Sequence, residues 1–145
     1  MATEIERHCE TIEACYEFTL SYAARGLASD EGSDAGRQLR EHLTRAAAAM
    51  RALEGGCAEA IAQKQLEPAE KYEAFFAVLK HDAESALAAV ELVLAAPAIG
   101  SQVIDNLNAS IHLRALLADL FLVTEILDVR QMRVKAATDG ASGAR

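Results

Sequence analysis

Residues 68–97 read PAEKYEAFFAVLKHDAESALAAVELVLAAP, and the prolines at the two ends are the only ones in the 145-residue chain. Between them, apolar residues recur every three or four positions, as Tyr72, Phe76, Leu79, Ala83, Ala86, Val90 and Val93. This spacing places the side chains on one face of an α-helix. Because proline is favoured in the first turn of a helix and disfavoured in its interior, we expect one long helix that begins at Pro68 and ends before Pro97.

A first helix is predicted from about Ala2 to Arg25. Thr3 and Glu6 have the spacing of a capping box, and Gly26 suits the left-handed position that follows many helices. Its apolar face also follows a three-and-four spacing, with Ile5, Cys9, Ile12, Tyr16, Thr19 and Ala23. The polar loop over residues 28–34 then separates this helix from the next one.

A second helix is predicted to start at a cap supplied by Ser33 or Asp34. Its apolar face consists of Leu39, Leu43, Ala46, Met50, Leu53, Cys57 and Ala60. The pair Gly55-Gly56 interrupts it, and each glycine costs about 1 kcal/mol relative to alanine in a helix interior. Because the apolar spacing continues beyond the glycines, we expect a weak point or a kink rather than a helix end.

Ser101 is predicted to cap a fourth helix that extends to about Ala137. Four long helices with short connections predict an all-α fold, an antiparallel four-helix bundle with up-down-up-down topology. We expect one domain over residues 1–138, followed by a disordered C-terminal tail over residues 139–145.

The predicted fourth helix carries two apolar faces, whereas one is enough for a helix in a bundle. The first face contains Ile111, Ala115, Ala118, Leu122 and Ile126. The second contains Leu113, Leu116, Leu117, Leu120, Val123 and Leu127. We expect one face to self-associate across a twofold axis, with Leu113, Leu116, Leu120 and Val123 as the contacts. The alternatives are burial of both faces within one monomer and a helix that lies on a membrane surface.

Composition limits the partners and the compartment. The formal net charge of −8 argues against nucleic acid and anionic membranes as partners, because binding to phosphates needs a basic surface. No stretch reaches the roughly 18 apolar residues of a membrane span, and the acidic start does not resemble a signal peptide. Three cysteines, Cys9, Cys15 and Cys57, are an odd number at helical positions, which favours a reducing cytoplasm.

The sequence contains no recognisable catalytic or metal-binding motif. None of the four histidines has a glutamate three residues before it, which excludes the Glu-x-x-His pairs of di-iron bundles. There is no Cys-x-x-Cys pair of the kind that binds zinc. We therefore predict no catalytic residues, no metal and no cofactor.

Four residues that could form a polar site, Asp82, Arg114, His112 and Cys15, lie at mid-height of the predicted bundle. Asp82 has apolar neighbours on its helix, so its carboxylate should be buried and paired with Arg114 or, failing that, His112. Cys15 lies at the same level as these three residues. We expect an internal or interface ion pair that fixes the register of the helices, and a ligand or metal site formed by these residues is the alternative.

These observations predict a non-catalytic, chaperone-like adaptor that acts as a cytoplasmic homodimer and binds another protein. The alternative is a bundle that holds a small ligand or metal near Asp82, His112 and Cys15. An enzyme built on a helical bundle is the third reading. An adaptor needs exposed apolar surface, whereas a ligand-binding bundle needs an internal cavity with polar lining.

Overall fold

The computed structural model describes residues 2–143, and the side-chain surroundings of residues 2–141. Over this range the chain forms five α-helices and no strand. They are α1 (Glu4–Ala24), α2 (Asp34–Lys64), α3 (Ala69–Ala95), α4 (Ser101–Ala109) and α5 (Ile111–Gly143). The prediction of an all-α protein is therefore confirmed. No helix within the described range is long and apolar enough to cross a membrane.

The prediction of a continuous fourth helix is wrong, because the chain breaks at Ser110. This residue has extended backbone angles, and its N–H donates to the Leu107 carbonyl at 3.1 Å to close α4. Its hydroxyl accepts from the His112 N–H at 3.3 Å at the start of α5. Ser110 therefore caps a new helix, a local signal that the unbroken apolar periodicity concealed.

The other helix ends follow the sequence closely. The Glu6 N–H donates to Thr3 Oγ1 at 3.1 Å and the Thr3 N–H to Glu6 Oε2 at 3.2 Å, which confirms the capping box. Gly26 has a φ of +67°, as its place after α1 predicted. Ser33, rather than Asp34, caps α2 by accepting from the Gly36 N–H at 3.0 Å. Pro68 occupies the N-cap of α3, so that helix begins one residue later than predicted.

Helix α2 runs unbroken through Gly55-Gly56. A Cβ atom on Gly56 would lie 3.4 Å from the Glu4 Cβ and 3.5 Å from the Ile5 side chain. These are ordinary van der Waals distances, so the start of α1 packs beside α2 at this position without requiring a glycine there. Near the end of α1 and the start of α2, the Phe18 and His42 rings stack with centroids 4.6 Å apart. These two contacts show that α1 and α2 are antiparallel.

The core lies among all five helices. Helix α1 packs against α2, α4 and α5, while α3 packs against both α2 and α5. The largest side chains with almost no exposure are Tyr22, Ile5, Ile12, Leu39, Leu43, Leu53, Leu66, Leu79, Ile99, Ile104, Leu116 and Leu120. Every helix contributes to this set, so the apolar faces predicted from the spacing do converge on one core.

The loops at one end of the molecule are joined by a buried polar cluster, here called the loop cluster: Tyr22, Asp30, Arg40, Ile99 and Ser101. The Ile99 N–H donates to Asp30 Oδ1 at 2.7 Å, and the Arg40 guanidinium pairs with the other carboxylate oxygen. The Tyr22 hydroxyl donates to the Ile99 carbonyl at 2.7 Å. Ser101, predicted to cap the fourth helix, instead accepts from the Leu27 N–H and donates to the Tyr22 carbonyl.

The C-terminal part of α5 extends beyond the packed helices. Residues 131–141 are all exposed, and the helix continues to Gly143. Residues 139–143, predicted to begin a disordered tail, are thus helical, and residues 144–145 lie outside the described part. The division into a 1–138 domain and a tail stays a prediction.

Candidate functional site

The predicted pairing of Asp82 with Arg114 or His112 is wrong. Asp82 on α3 is half-buried, and its carboxyl lies beside that of Asp119 on α5. Arg114 and His112 are exposed, and in the described part of the chain neither forms an ion pair. The positions predicted for Arg114 and His112 assumed a helix that continues from Ser101. Because the helix breaks at Ser110, the residues of α5 have a different rotation and height relative to α3.

Asp82 and Asp119 form what we call the carboxyl pair. Burial raises the pKa of Asp119 most, and the hydrogen bond and like charge of Asp82 raise it further, to about 7. Asp119 Oδ2 is buried and has no hydrogen-bond partner among the described residues. Two carboxyl groups that face each other without a cation repel when charged, and this repulsion adds to burial in favouring the protonated form of Asp119.

An apolar groove adjoins the carboxyl pair along the boundary between α3 and α5. It has a volume of about 240 Å³ and is lined by Lys71, Tyr72, Phe75, Leu122, Val123 and Ile126. Leu122 follows Asp119 by one helical turn, so the groove and the acids lie on the same strip of α5. The wall is apolar apart from the lysine at its rim, a composition that suits an apolar occupant.

The exposed face of α5 is the opposite of the one predicted to self-associate. Leu113, Leu116, Leu120 and Val123 are no more than 5% exposed and belong to the core of their own chain. Because α1 and α3 pack on that side of α5, these four residues are not available to a second chain.

The other face of α5 carries six large apolar residues that are 43–73% exposed: Ile111, Phe121, Leu122, Ile126, Val129 and Met132. Three of them belong to the first face identified from the sequence. Large apolar side chains that cluster along one surface of a protein typically mark an interaction site.

The residues considered for a ligand or metal site do not come together. Cys15 is buried in α1, and no hydrogen bond between described residues joins it to Asp82, His112 or Arg114. Burial raises the pKa of Cys9 to about 11 and the pKa values of Cys15 and Cys57 to about 12. These thiols are protonated at neutral pH and serve as small apolar core residues. Within the described range, no group of three His, Cys, Asp or Glu side chains could hold a metal ion.

A second cavity, of about 360 Å³, lies between the end of α2 and the middle of α5, and Glu6 and Arg130 contribute to its lining. Arg130 donates to the carbonyls of Lys64 and Gln65 at 3.1 and 3.0 Å. Its cation therefore stabilises the carboxyl end of α2, where helix carbonyls lack partners. This explains Arg130 as a structural residue.

No protein-family model matches the chain, and neither a curated protein nor a solved structure matches it. The surface between α3 and α5 is therefore the best candidate for a functional site. Two features of this surface were not predicted from the sequence: the contact of Asp119 with Asp82, and the groove beside it. On a helical wheel of α5, Asp119 and His112 fall in one narrow polar strip, which does not indicate a contact between Asp119 and Asp82. Phe75 lies outside the regularly spaced apolar residues that predicted the buried face of α3.

Proposed function

We propose that this protein is a non-catalytic interaction protein that acts as a homodimer through the exposed face of α5. The observation that carries the proposal is the row of six exposed large apolar residues on that face. Exposure of apolar surface to water is unfavourable by about 25 cal/mol for each Å². A dimer in which a second chain covers this row is therefore stabilised relative to the separate chains. A twofold dimer is the simplest assembly that buries the same face of both chains.

We infer further that the chain is an antiparallel four-helix bundle in which α4 and α5 together occupy the fourth position. In support, α1 packs on α2, α2 on α3, and both α1 and α3 on α5. The contact between Asp82 and Asp119, and the groove that joins Tyr72 to Ile126, indicate that α3 and α5 are antiparallel. This arrangement leaves one face of α5 uncovered.

The role that fits such a dimer is that of a chaperone-like adaptor in the cytoplasm that binds another protein. A net charge of −8 favours protein partners over nucleic acid. Three buried free cysteines fit a reducing compartment.

Sedimentation equilibrium from low to high micromolar concentration tests the dimer. The wild type should dimerise, and the double variant Leu122→Glu with Ile126→Lys should be a monomer with the helical content of the parent, because both side chains are exposed. Leu92→Glu is the matched control, since Leu92 is 75% exposed but lies on α3 outside the groove. A wild type that is monomeric at high micromolar concentration would overturn the proposal.

A further inference from the structure

The exposed face of α5 contains a strip of residues that is complementary to itself. Asp119, Leu122, Ile126, Val129 and Arg133 follow one another at spacings of three, four, three and four, and we call them the α5 stripe. This spacing keeps all five on one side of the helix. The stripe has a carboxylate at one end, a guanidinium at the other, and three exposed apolar residues between them.

The two charged ends of the α5 stripe are placed symmetrically. Asp119 precedes Ile126 by seven residues (126 − 119) and Arg133 follows it by seven (133 − 126). When two copies of a helix pack antiparallel about a twofold axis near Ile126, Asp119 of each copy therefore lies opposite Arg133 of the other. The apolar residues of the two stripes meet at the centre.

Among the residues that the structure describes, neither charged end has a partner of opposite sign. Asp119 faces Asp82, and its Oδ2 atom is buried without a hydrogen-bond partner among the described residues. Arg133 lies in the exposed part of α5 beyond the packed helices, and it forms no ion pair with any residue in the described range. A buried carboxylate next to another carboxylate is stabilised most by a cation that comes from outside.

We propose that Arg133 of one chain binds the carboxyl pair, Asp82 and Asp119, of a second copy. The proposal rests on the homodimer proposed above and specifies its register: the segment of α5 from Ile126 to Arg130 crosses the apolar groove of the other chain, and the projecting end beyond it reaches the carboxyl pair. A guanidinium has several N–H donors, so it can serve the carboxyl groups of Asp82 and Asp119 together. The twofold axis creates this contact twice in each dimer.

Charge reversal at Arg133 tests the register by sedimentation equilibrium at pH 7 and moderate salt. Arg133→Glu should weaken dimerisation by about ten-fold or more, since two attractive contacts become repulsive. Lys135→Glu is the matched control, because it makes the same change of charge two residues away on a different side of the same exposed segment. It should leave the dissociation constant within about three-fold of the wild-type value.

The charge-swapped variant, Asp119→Arg with Arg133→Asp, should recover most of the affinity that Arg133→Glu loses. Helical content measured by circular dichroism should match the parent in the Arg133→Glu and Lys135→Glu variants, because both residues are exposed. A dimeric wild type in which Arg133→Glu and Lys135→Glu behave alike would overturn the register but leave the dimer intact. A monomeric wild type would overturn both proposals.

Discussion

Two acidic sites of this molecule differ in how their charge is compensated. In the loop cluster, Asp30 is buried, accepts from the Ile99 N–H and pairs with Arg40, and the bond to Arg40 is the main reason that its pKa is lowered. In the carboxyl pair, Asp119 faces a second acid, and burial is the main reason that its pKa is raised. The same functional group is thus held charged at one site and held partly neutral at the other.

The difference follows from what surrounds each carboxylate. Loop backbone exposes N–H groups, as at Ile99, and a nearby long cationic side chain completes the set. The sides of two helices offer no free backbone donors, because those groups are already bonded within each helix. An acid on the side of a helix therefore depends on other side chains, and the neighbouring helix here presents Asp82. The first site therefore stabilises the fold, whereas the described residues supply no cation to the carboxyl group at the second site.

The largest effect should come from Asp30→Ala. It removes the acceptor of a buried N–H and leaves the Arg40 guanidinium without its carboxylate, which costs about 3 kcal/mol of unfolding free energy. Urea denaturation at pH 7 measures the loss. Glu54→Ala, which removes an exposed partner of Lys80, is the control and should change stability little. Equal stability of the two variants would show that the loop cluster does not hold the loops together.

Asp119→Asn should have a smaller effect on the free energy of unfolding, and this effect should depend on pH. A carboxyl group whose folded pKa is raised to about 7 stabilises the fold fully below its unfolded pKa, and this stabilisation is lost as the pH rises through 7. The wild type should thus lose about 1 kcal/mol between pH 5.5 and pH 8.5, after allowance for solvent screening of the half-buried group.

Asp119→Asn should remove that slope when stability is measured by urea denaturation at both pH values at a protein concentration low enough to keep the chain monomeric. Asp128→Asn, an exposed acid on the same helix, should retain it. The lowered pKa of Asp30 acts in the opposite direction, because its stabilisation is lost as the pH falls through the folded value. Identical pH profiles for the wild type and Asp119→Asn would contradict the interpretation of the carboxyl pair.

The smallest effect should come from Asp82→Ala. The sequence alone predicts strong destabilisation, because a buried partner would be left charged. With Asp119 as its neighbour, removal of Asp82 instead relieves repulsion, so the unfolding free energy at pH 8 should change by less than about 1 kcal/mol. Thermal melting at pH 8 measures this difference. A loss comparable to that of Asp30→Ala would mean that Asp82 has a cationic partner after all.

Individual residues show how far the sequence was a guide to the fold. Thr3 with Glu6, Gly26 and Ser33 each act through neighbours a few positions away, so their roles could be predicted from local spacing. Ser110 also acts locally, but its signal was masked by apolar periodicity that continues on both sides. Ser101 was assigned to a cap because its true partners, Leu27 and Tyr22, lie far away in the sequence.

The sequence by itself determined that the chain is helical, where most helices begin and end, and that α5 has two apolar faces, since all of these depend on spacing within a few turns. Only the tertiary structure decided which face of α5 is buried, and that Asp82 meets Asp119 rather than Arg114. Both outcomes depend on the rotation and height of one helix relative to another. A change of one residue in register rotates a helix face by about 100°, and the break at Ser110 reset that register for all of α5.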